Sequence, residues 1–549
     1  MWRRNVFLRT LAQYRVAIAG WGIGMGLVVV SPMASVGTLL TTPQARAQLA
    51  SLAASFAWNA QVVAVDTIGG YATFKIGTFV FLIAVWPLLA ASRTLRGEEE
   101  RGSLDALLAL PRGRVRVAVE KLAAIWAALL VMAVLIGLIA FAGGRRFGAD
   151  FGLGHGLLFG LNLAVFCTVI AGLALLISQF TPERGPAAGW TAGLLLVFVV
   201  VDMVHRVVPG TDWFSRLSPV YYYNLSKPLV PSHGADAGGM LVQVALALAL
   251  SGAAIWLFAR RDIGGTVAIP GWLRLPERTA RRPAPLPAGD WSLRSVYARA
   301  LAAIAVPTAW WTLAVAGWAG WMMVAVKQTE ASLPRLIGSS AAGRTLFRNL
   351  GGGDPGLNAT FLSALFGILP LFLMAFAVTQ VSRWAADEQD GRLDLVLATP
   401  QSRLRVLLSR YAAVATATVL IGVVTLAVSA GAAAATGLKL DSGHLAAAAL
   451  GLIPLGLLVA ALGYLASGWL RTAADTGLLS FLLAAWFLIS FVGPELQWPD
   501  AALRLSALYY YGTPLVHGLQ ASSVLGLIAV SALALALGAL RFVRKDIAV

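Results

Sequence analysis

The feature that most constrains this chain is a series of twelve apolar runs, each about as long as a helix that crosses a membrane. They lie at 16–38, 72–91, 122–142, 154–179, 186–207, 239–259, 303–326, 359–381, 412–436, 443–466, 474–493 and 521–540. A spanning helix needs roughly 20 mostly apolar residues, and inside lipid it satisfies its own backbone hydrogen bonds. The sequence therefore predicts an all-α membrane protein with twelve transmembrane helices.

Composition and charge agree with this class and exclude others. Apolar residues make up 58% of the 549 positions and charged residues only 12%, whereas soluble domains have roughly 45–50% and about 25%. The only cysteine is Cys167, which excludes a disulfide-stapled secreted fold. With the N-terminus inside, the predicted cytoplasmic connections hold 29 of the 42 Lys and Arg residues. This asymmetry predicts a cell (inner) membrane protein with both termini cytoplasmic, and it explains the net charge without any nucleic acid.

The first run also invites interpretation as a cleaved signal peptide, because arginines precede it and Ala45-Arg46-Ala47 follows it. The apolar region of a signal peptide is roughly 7–15 residues long, and this run is longer. We therefore interpret it as a membrane span.

Two pairs of segments show that the chain is internally duplicated. Residues 102–116 and 391–405 are identical at 8 of 15 positions, and residues 216–223 and 504–511 at 6 of 8. The sixth and twelfth runs also end alike, in FARRDI and FVRKDI. A nearly constant offset between separated matches predicts two structural repeats.

Each repeat has six spans, so the two halves are predicted to be parallel. The first half is 1–263 and the second is 291–549. Between them, residues 264–290 are rich in Gly, Pro and Arg, which is typical of a linker. We expect this linker to be cytoplasmic.

The connection between the second and third spans has one design in both halves: acidic residues, a glycine, a short amphipathic helix, a proline and then arginines. In the first half these positions are Glu98, Glu99, Glu100, Gly102, Leu104, Asp105, Leu107, Leu108, Pro111, Arg114 and Arg116. In the second half they are Asp387, Glu388, Asp390, Gly391, Leu393, Asp394, Val396, Leu397, Pro400, Arg403 and Arg405. Apolar residues at i, i+3 and i+4 share one helical face, and two turns of helix are unstable alone in water. This face must therefore dock on lipid headgroups or on a partner protein, and its repetition favours a partner with two equivalent grooves.

Both copies of this pattern resemble the signature of ABC-2 type transporter permeases, the membrane subunits of ATP-binding cassette exporters. The fused two-half arrangement resembles the subgroup of polyketide antibiotic and multidrug exporters. The resemblance implies a type V exporter-like transmembrane domain whose short helices are coupling helices. Each would sit on one copy of a separate ATPase subunit, which binds Mg-ATP. It also implies amphipathic elbow helices at 2–15 and 291–302.

The resemblance further implies a substrate path lined by the second and fifth spans of each half. Candidates, each of which could instead pack between helices or face lipid, are Phe79, Trp86, Trp190, Phe198, Asp202, His205, Phe372, Phe376, Phe481 and Trp486. A lining this apolar suits hydrophobic small molecules. Partly re-entrant outer segments are implied at 208–238 and 494–520. Their tyrosines, which either anchor at the membrane interface or gate the path, are Tyr221, Tyr222, Tyr509 and Tyr510.

Asp202 and His205 have no charged counterparts in the second half. Three residues apart, they share one helical face and could simply satisfy each other. Alternatively, Asp202 gives an anionic site for cationic amphiphiles that responds to pH through His205.

Several enzyme classes are unsupported. No lysine follows a glycine, so the chain has no phosphate-binding loop, and it has no H-E-x-x-H or G-x-S-x-G motif. The sequence therefore predicts a transport subunit with no catalytic residues, no metal and no cofactor of its own. An ion- or proton-driven secondary transporter is the alternative, because repeated six-span halves also describe that class.

Overall fold

The computed structural model describes residues 6–39, 42–54, 60–78, 80–109, 111–207, 210–267, 289–329, 357–389, 391–470, 472–494 and 496–545. Within these ranges the regular structure is helical, apart from one isolated antiparallel bridge between Lys227 and Gly234. The prediction of an all-helical membrane protein is confirmed. The chain divides into two compact units, Met1–Thr279 and Ala280–Val549.

The first unit contains long apolar helices and short connecting helices. They are α1 (Val6–Gln13), α2 (Arg15–Leu39), α3 (Pro43–Ala54), α4 (Ile68–Thr78), α5 (Val80–Ile83), α6 (Val85–Thr94), α7 (Arg96–Glu99), α8 (Ser103–Leu108), α9 (Arg114–Arg146), α10 (Leu153–Ile177), α11 (Arg184–Val207), α12 (Asp212–Ser215), α13 (Pro219–Asn224) and α14 (Ala237–Arg260).

The second unit begins with a 3-10 turn, Trp291–Leu293, and continues with helices in a similar order. They are α15 (Val296–Thr329), α16 (Leu357–Phe366), α17 (Leu369–Gln389), α18 (Arg392–Leu397), α19 (Arg403–Thr436), α20 (Ser442–Leu450), α21 (Leu452–Ser467), α22 (Thr472–Val492), α23 (Asp500–Leu503), α24 (Pro514–His517) and α25 (Ala521–Arg544). A second 3-10 turn, Ala507–Tyr510, lies between α23 and α24.

In the described part of the chain, ten helical segments are long and apolar enough to cross a membrane. They correspond to ten of the twelve predicted runs. Of the other two, the run at 72–91 is divided among α4, α5 and α6. The run at 474–493 gives a shorter apolar stretch, Thr476–Val492. The number twelve is therefore not confirmed and stays a prediction.

In the first unit, α10 lies at the centre and contacts α6, α9, α11 and α14. Its apolar window is 78% buried. It approaches α9 closely at Gly137 and Gly156. A Cβ on Gly137 would lie 2.6 Å from the carbonyl oxygen of Gly156, and a Cβ on Gly156 would lie 2.6 Å from the carbonyl oxygen of Gly137. Small residues of this kind let helix backbones pack in direct contact.

In the second unit, α15 lies along α19, while α17 and α25 both pack on α21. Trp384 of α17 is fully buried, and the rings of Tyr464 and Phe542 are centred 5.3 and 5.2 Å from it. Its indole N–H donates to the Ser467 hydroxyl at 3.2 Å. This aromatic cluster fixes the end of α17, which carries the acidic residues that precede α18.

The two predicted elbow segments differ. In the described part of 2–15, α1 is a separate helix that packs on α9. Residues 291–302, by contrast, form the 3-10 turn and the first turns of α15, with no separate amphipathic helix. No proline or glycine interrupts residues 296–306, so this stretch continues directly into the long helix.

Candidate functional site

Both loops that follow the second predicted span build a short helix after a left-handed glycine. Gly102 has φ +65° at the start of α8, and Gly391 has φ +68° at the start of α18. Residues with a Cβ rarely adopt this conformation, so glycine lets the chain reverse into the helix. The two short helices predicted from residue spacing are therefore present at equivalent positions.

The first leucine of each short helix is its anchor, since Leu104 and Leu393 are both 0% exposed. The remaining members of the predicted apolar faces are half-buried: Leu107, Leu108, Val396 and Leu397. In the second unit the last two pack on the hydrophobic core. Leu104 and Leu393 therefore pack against their own unit. Docking of the half-buried remainder of each face on lipid headgroups or on a partner protein stays a prediction.

The outward faces of the two short helices are not equivalent. Asp105 and Ala106 are exposed on α8, whereas on α18 the residue aligned with Ala106 is Leu395, which is 74% exposed. The prolines that follow, Pro111 and Pro400, are exposed as well. The surface that α18 presents is therefore more apolar than that of α8.

Behind α8, Glu99 is buried between two arginines. Its carboxylate lies 3.0 Å from the Arg96 guanidinium and 2.7 Å from that of Arg261, and none of the three side chains is more than 4% exposed. Burial lowers the pKa of Arg96, and the neighbouring Arg261 lowers it further, while Glu99 raises it. The single carboxylate therefore offsets two buried cations.

The same arginines bind groups at the end of α10. Arg96 Nε donates to the carbonyl oxygen of Ser178 at 3.1 Å, and Arg261 Nε donates to Gln179 Oε1 at 2.9 Å. Arg114, at the start of α9, donates to the carbonyl oxygen of Arg261 at 3.0 Å. The network therefore joins the loop before α8 to the ends of α10 and α14 and to the start of α9.

The flanking carboxylates extend this network. Glu98 Oε1 lies 2.6 Å from Lys121 Nζ on α9, and Glu100 lies 3.8 Å from Arg184 at the start of α11. All three glutamates before Gly102 therefore face cations of their own unit.

The second unit has a corresponding network with fewer charges. Lys545 Nζ lies 2.5 Å from the Glu388 carboxylate and donates to the carbonyl oxygen of Ser467 at 2.9 Å. Arg403 donates to the carbonyl oxygen of Lys545 at 2.5 Å. Ala385 occupies the position that is equivalent to Arg96 of the first unit. Lys545 alone therefore binds both the Glu388 carboxylate and the carbonyl oxygen at the end of α21.

Asp387 forms an ion pair that is equivalent to the Glu98–Lys121 pair of the first unit. Its carboxylate lies 2.5 Å from Arg410 on α19, at the position equivalent to Lys121. Asp394 is half-buried, and Asp390 lies outside the described residues. The sequence alone did not identify Lys121, Arg261, Arg410 or Lys545 as partners. The available signal was the shared ending of the sixth and twelfth runs, FARRDI and FVRKDI. This ending places a cation, Arg261 or Lys545, at the same position in each half, as the acidic residues are also repeated.

The predicted path residues of the second unit lie in different environments. Phe376 is 0% exposed and Trp486 is 8% exposed, so both belong to the core, whereas Phe481 is 70% exposed. Phe372 is half-buried and packs edge-to-face on Trp318. Their role as path residues stays a prediction.

The predicted path residues of the first unit are equally varied. Trp190 is 60% exposed, and Phe198 is half-buried. Trp86 packs edge-to-face on Tyr14, with ring centroids 5.4 Å apart. Phe79 lies outside the described residues. These assignments also stay predictions.

Asp202 is buried and pairs with Arg206 one helical turn further on; it also accepts a hydrogen bond from Asn224 Nδ2 at 2.9 Å. His205 instead packs edge-to-face on the Tyr221 ring, with centroids 6.1 Å apart. The interpretation that Asp202 and His205 satisfy each other is therefore wrong, because a guanidinium at i+4 reaches the carboxylate. Whether Asp202 and His205 serve the path stays a prediction.

A serine that the sequence reasoning missed fixes each tyrosine triplet. Ser218 Oγ donates to the carbonyl oxygen of Phe198 at 2.7 Å, and Ser506 Oγ donates to that of Trp486 at 3.0 Å. Each hydroxyl also accepts from the backbone N–H two residues on, which caps the following short helix. The segment before the last helix is thus tied to the preceding long helix at the same place in both units.

Within each triplet, the third tyrosine is buried and the first two are not. Tyr223 is 2% and Tyr511 is 5% exposed. The first two form edge-to-face pairs, Tyr221–Tyr222 and Tyr509–Tyr510, with ring centroids 5.2 and 5.5 Å apart. Their role as interface anchors or as a gate stays a prediction.

Comparison with known proteins matches both halves of the chain to transporter permeases. Residues 15–263 match the family model described as ABC-2 family transporter protein. Residues 293–543 match the model described as multidrug efflux system permease Rv1217c, C-terminal domain.

Two relatives agree with these matches. The multidrug efflux system permease protein Rv1217c of Mycobacterium tuberculosis is 26% identical over 557 residues, which cover 98% of this chain and 94% of that protein. The probable ABC transporter permease protein NosY of Pseudomonas aeruginosa is 31% identical over 206 residues, which cover 34% of this chain and 74% of that protein. The chain belongs to the ABC-2 family of ABC transporter permeases.

Proposed function

We propose that this chain is the membrane-spanning permease of an ATP-binding cassette exporter that moves hydrophobic or amphiphilic compounds, such as drugs, antibiotics or lipids, out of the cell. Its two parallel halves, 1–263 and 291–549, would each supply six of twelve spans, with both termini and the 264–290 linker in the cytoplasm. The energy would come from Mg-ATP, hydrolysed by two copies of a separate ATPase subunit.

The observation that carries this proposal is the repeated ion-pair network behind each short helix. Glu99–Arg261 connects the loop before α8 to the end of α14, and Glu388–Lys545 connects the loop before α18 to the end of α25. A buried charge pair such as Glu99–Arg261 costs several kcal/mol to separate, and the partly buried Glu388–Lys545 pair costs less, so we expect the groups that each pair joins to move together. Force applied to the outward face of either short helix would therefore reach the last long helix of the same unit.

The substrate class is supported by two observations. Large apolar residues dominate the long helices in both units, and the full-length relative is described as a multidrug efflux permease. Apolar pockets with few polar groups bind hydrophobic ligands.

A proton- or ion-driven secondary transporter is the alternative, and the Asp202 geometry argues against it. A proton carrier needs a carboxylate that exchanges its proton during the cycle. The Asp202 carboxylate is already engaged in an ion pair with Arg206 and accepts a hydrogen bond from Asn224.

The test uses inside-out membrane vesicles that contain the chain with or without the ATPase that co-purifies with it from its native membrane. Fluorescent drug uptake should require both subunits and hydrolysable ATP, and it should survive collapse of the proton gradient. A non-hydrolysable ATP analogue serves as the control. Uptake that needs a proton gradient but no ATPase would establish the secondary-transporter alternative.

A further inference from the structure

A cavity of about 480 Å³ opens on the second unit beside the first turns of α19. Tyr297 of α15 lines one side, and Leu404, Arg405, Leu408 and Ser409 of α19 line the other. Ser402 and Ala412 complete the lining, so the cavity combines one guanidinium, three hydroxyl groups and two leucine side chains.

The first unit closes the equivalent place with its own residues. In the repeat, Arg405 and Ser409 correspond to Arg116 and Glu120. The Arg116 guanidinium lies 2.9 Å from the Glu120 carboxylate, which also accepts from the backbone N–H of Val6 in α1 at 3.2 Å. In the first unit the Glu120 carboxylate therefore neutralises the Arg116 guanidinium, and α1 covers the site.

The second unit has neither of these elements. Serine replaces the glutamate, and residues 291–302 form no separate helix that packs there. Arg405 is exposed, and it makes no ion pair with any residue that the structure describes. Within the described residues Arg405 therefore has no carboxylate partner, and it lines a cavity whose leucines, Leu404 and Leu408, are 43% and 41% exposed.

The charge of Arg405 and the apolar lining of the cavity indicate what kind of molecule would bind there. A guanidinium matches the geometry of a phosphate, and the leucines match an acyl chain. The chain's own 264–290 linker is a poor occupant, because it holds four arginines and only two acidic residues and would be repelled by Arg405. On the orientation proposed above, the start of α19 lies at the cytoplasmic surface, where anionic lipids are available.

We propose that this cavity binds one anionic phospholipid of the inner leaflet, with its phosphate on Arg405 and an acyl chain along Leu404 and Leu408. The site belongs to the second half alone. It goes beyond the transport function proposed above, because lipid binding here requires neither a substrate nor an ATPase.

Native mass spectrometry of the detergent-purified full chain tests the site with equimolar phosphatidylglycerol and phosphatidylcholine. The wild type should retain one phosphatidylglycerol in preference to phosphatidylcholine. Arg405→Ala should lower its occupancy several-fold. Ser409→Glu should do the same without loss of folding, because it recreates the Arg116–Glu120 pair of the first unit. Arg116→Ala is the matched control and should bind like the wild type.

Two outcomes would overturn the proposal. Equal phosphatidylglycerol occupancy in the wild type and the folded Ser409→Glu variant would show that Arg405 does not bind the lipid. Displacement of the lipid by millimolar glycerol 3-phosphate would identify a site for a soluble phosphate instead. Size-exclusion profiles of all variants establish that each remains folded, and none of these measurements depends on transport.

Discussion

The Arg261 guanidinium lies 2.7 Å from the Glu99 carboxylate, and both side chains are almost completely buried. These residues are 162 positions apart, one before a two-turn helix and the other just after the last long helix of the unit. The pair connects the surface on which we expect the ATPase to dock with an element that spans the membrane.

Glu99→Gln should destabilise the first unit strongly, because it removes the carboxylate that pairs with both Arg96 and Arg261, which are buried. Removal of one partner from a buried ion pair costs about 3–5 kcal/mol. Glu388→Gln is the matched variant and should cost less, because Glu388 and Lys545 are 19% and 20% exposed. Thermal unfolding in detergent measures both losses of stability. Equal decreases in unfolding temperature for the two variants would contradict the prediction that the more deeply buried pair contributes more.

Leu395→Asp should weaken binding of the ATPase subunit about tenfold, which corresponds to roughly 1.4 kcal/mol of lost apolar contact. Because Leu395 is 74% exposed, the fold should be unaffected. Ala106→Asp at the equivalent place in α8 introduces the same charge but takes away much less apolar surface, so it should have a smaller effect. Pull-down of the ATPase by each variant is the measurement. Unchanged binding with Leu395→Asp would mean that the partner docks elsewhere.

Gly102→Ala should destabilise the start of α8 by about 1–2 kcal/mol, because its φ of +65° is strained for any residue with a Cβ. Apart from the residues adjacent in the chain, no described atom lies within 4 Å of the added methyl, so the cost is conformational. Gly113→Ala is the control, since Gly113 has φ −66° and equally open surroundings. Comparable effects of the two substitutions on thermal unfolding would argue against backbone strain at Gly102.

The proposed orientation predicts which serines are accessible from outside the cell. Cys167 is buried, so Cys167→Ala gives a background for single cysteines. An impermeant maleimide should label cysteines placed at Ser232 and Ser442, and should label those at Ser103 and Ser402 only after permeabilisation. All four serines are exposed, so a difference in labelling reports the side of the membrane. The opposite pattern would invert the topology.

The free energy of unfolding should rise with pH between about 7 and 10.5 because of Lys227, which lies between α11 and α14 in the chain. Burial, followed by Arg206, lowers the pKa of Lys227 to about 7 from its ordinary 10.5, although Asp202 raises it. Over this range the folded chain binds fewer protons than the unfolded chain, so raising the pH favours folding. The slope is at most about 1.4 kcal/mol per pH unit.

Lys227→Met should flatten this slope in pH-dependent thermal unfolding, whereas Lys439→Met, at an exposed position, should leave it unchanged. An unaltered slope in Lys227→Met would place the titration on another group.

The sequence by itself determined the class of this protein and predicted its internal duplication. Apolar length specifies spanning helices because the backbone must bond to itself in lipid, and the spacing of Leu104, Leu107 and Leu108 specifies a short helix wherever it lies. The repeated pattern placed Gly102 and Gly391 before the two short helices, and the structure added that both take positive φ, which glycine adopts without strain. These are local rules, which depend on a few neighbouring residues.

Tertiary structure decided which distant groups meet. The carboxylate of Glu99 had several cations within its own half, and only the packing of α14 beside α10 brings Arg261 to it. Likewise, periodicity allowed His205 to face Asp202, but the helix brought Arg206 to the carboxylate instead. The outward exposure of Leu395 also followed from packing, as did the lack of an ion pair to Arg405 among the described residues, because burial and ion pairing depend on what the rest of the unit places nearby.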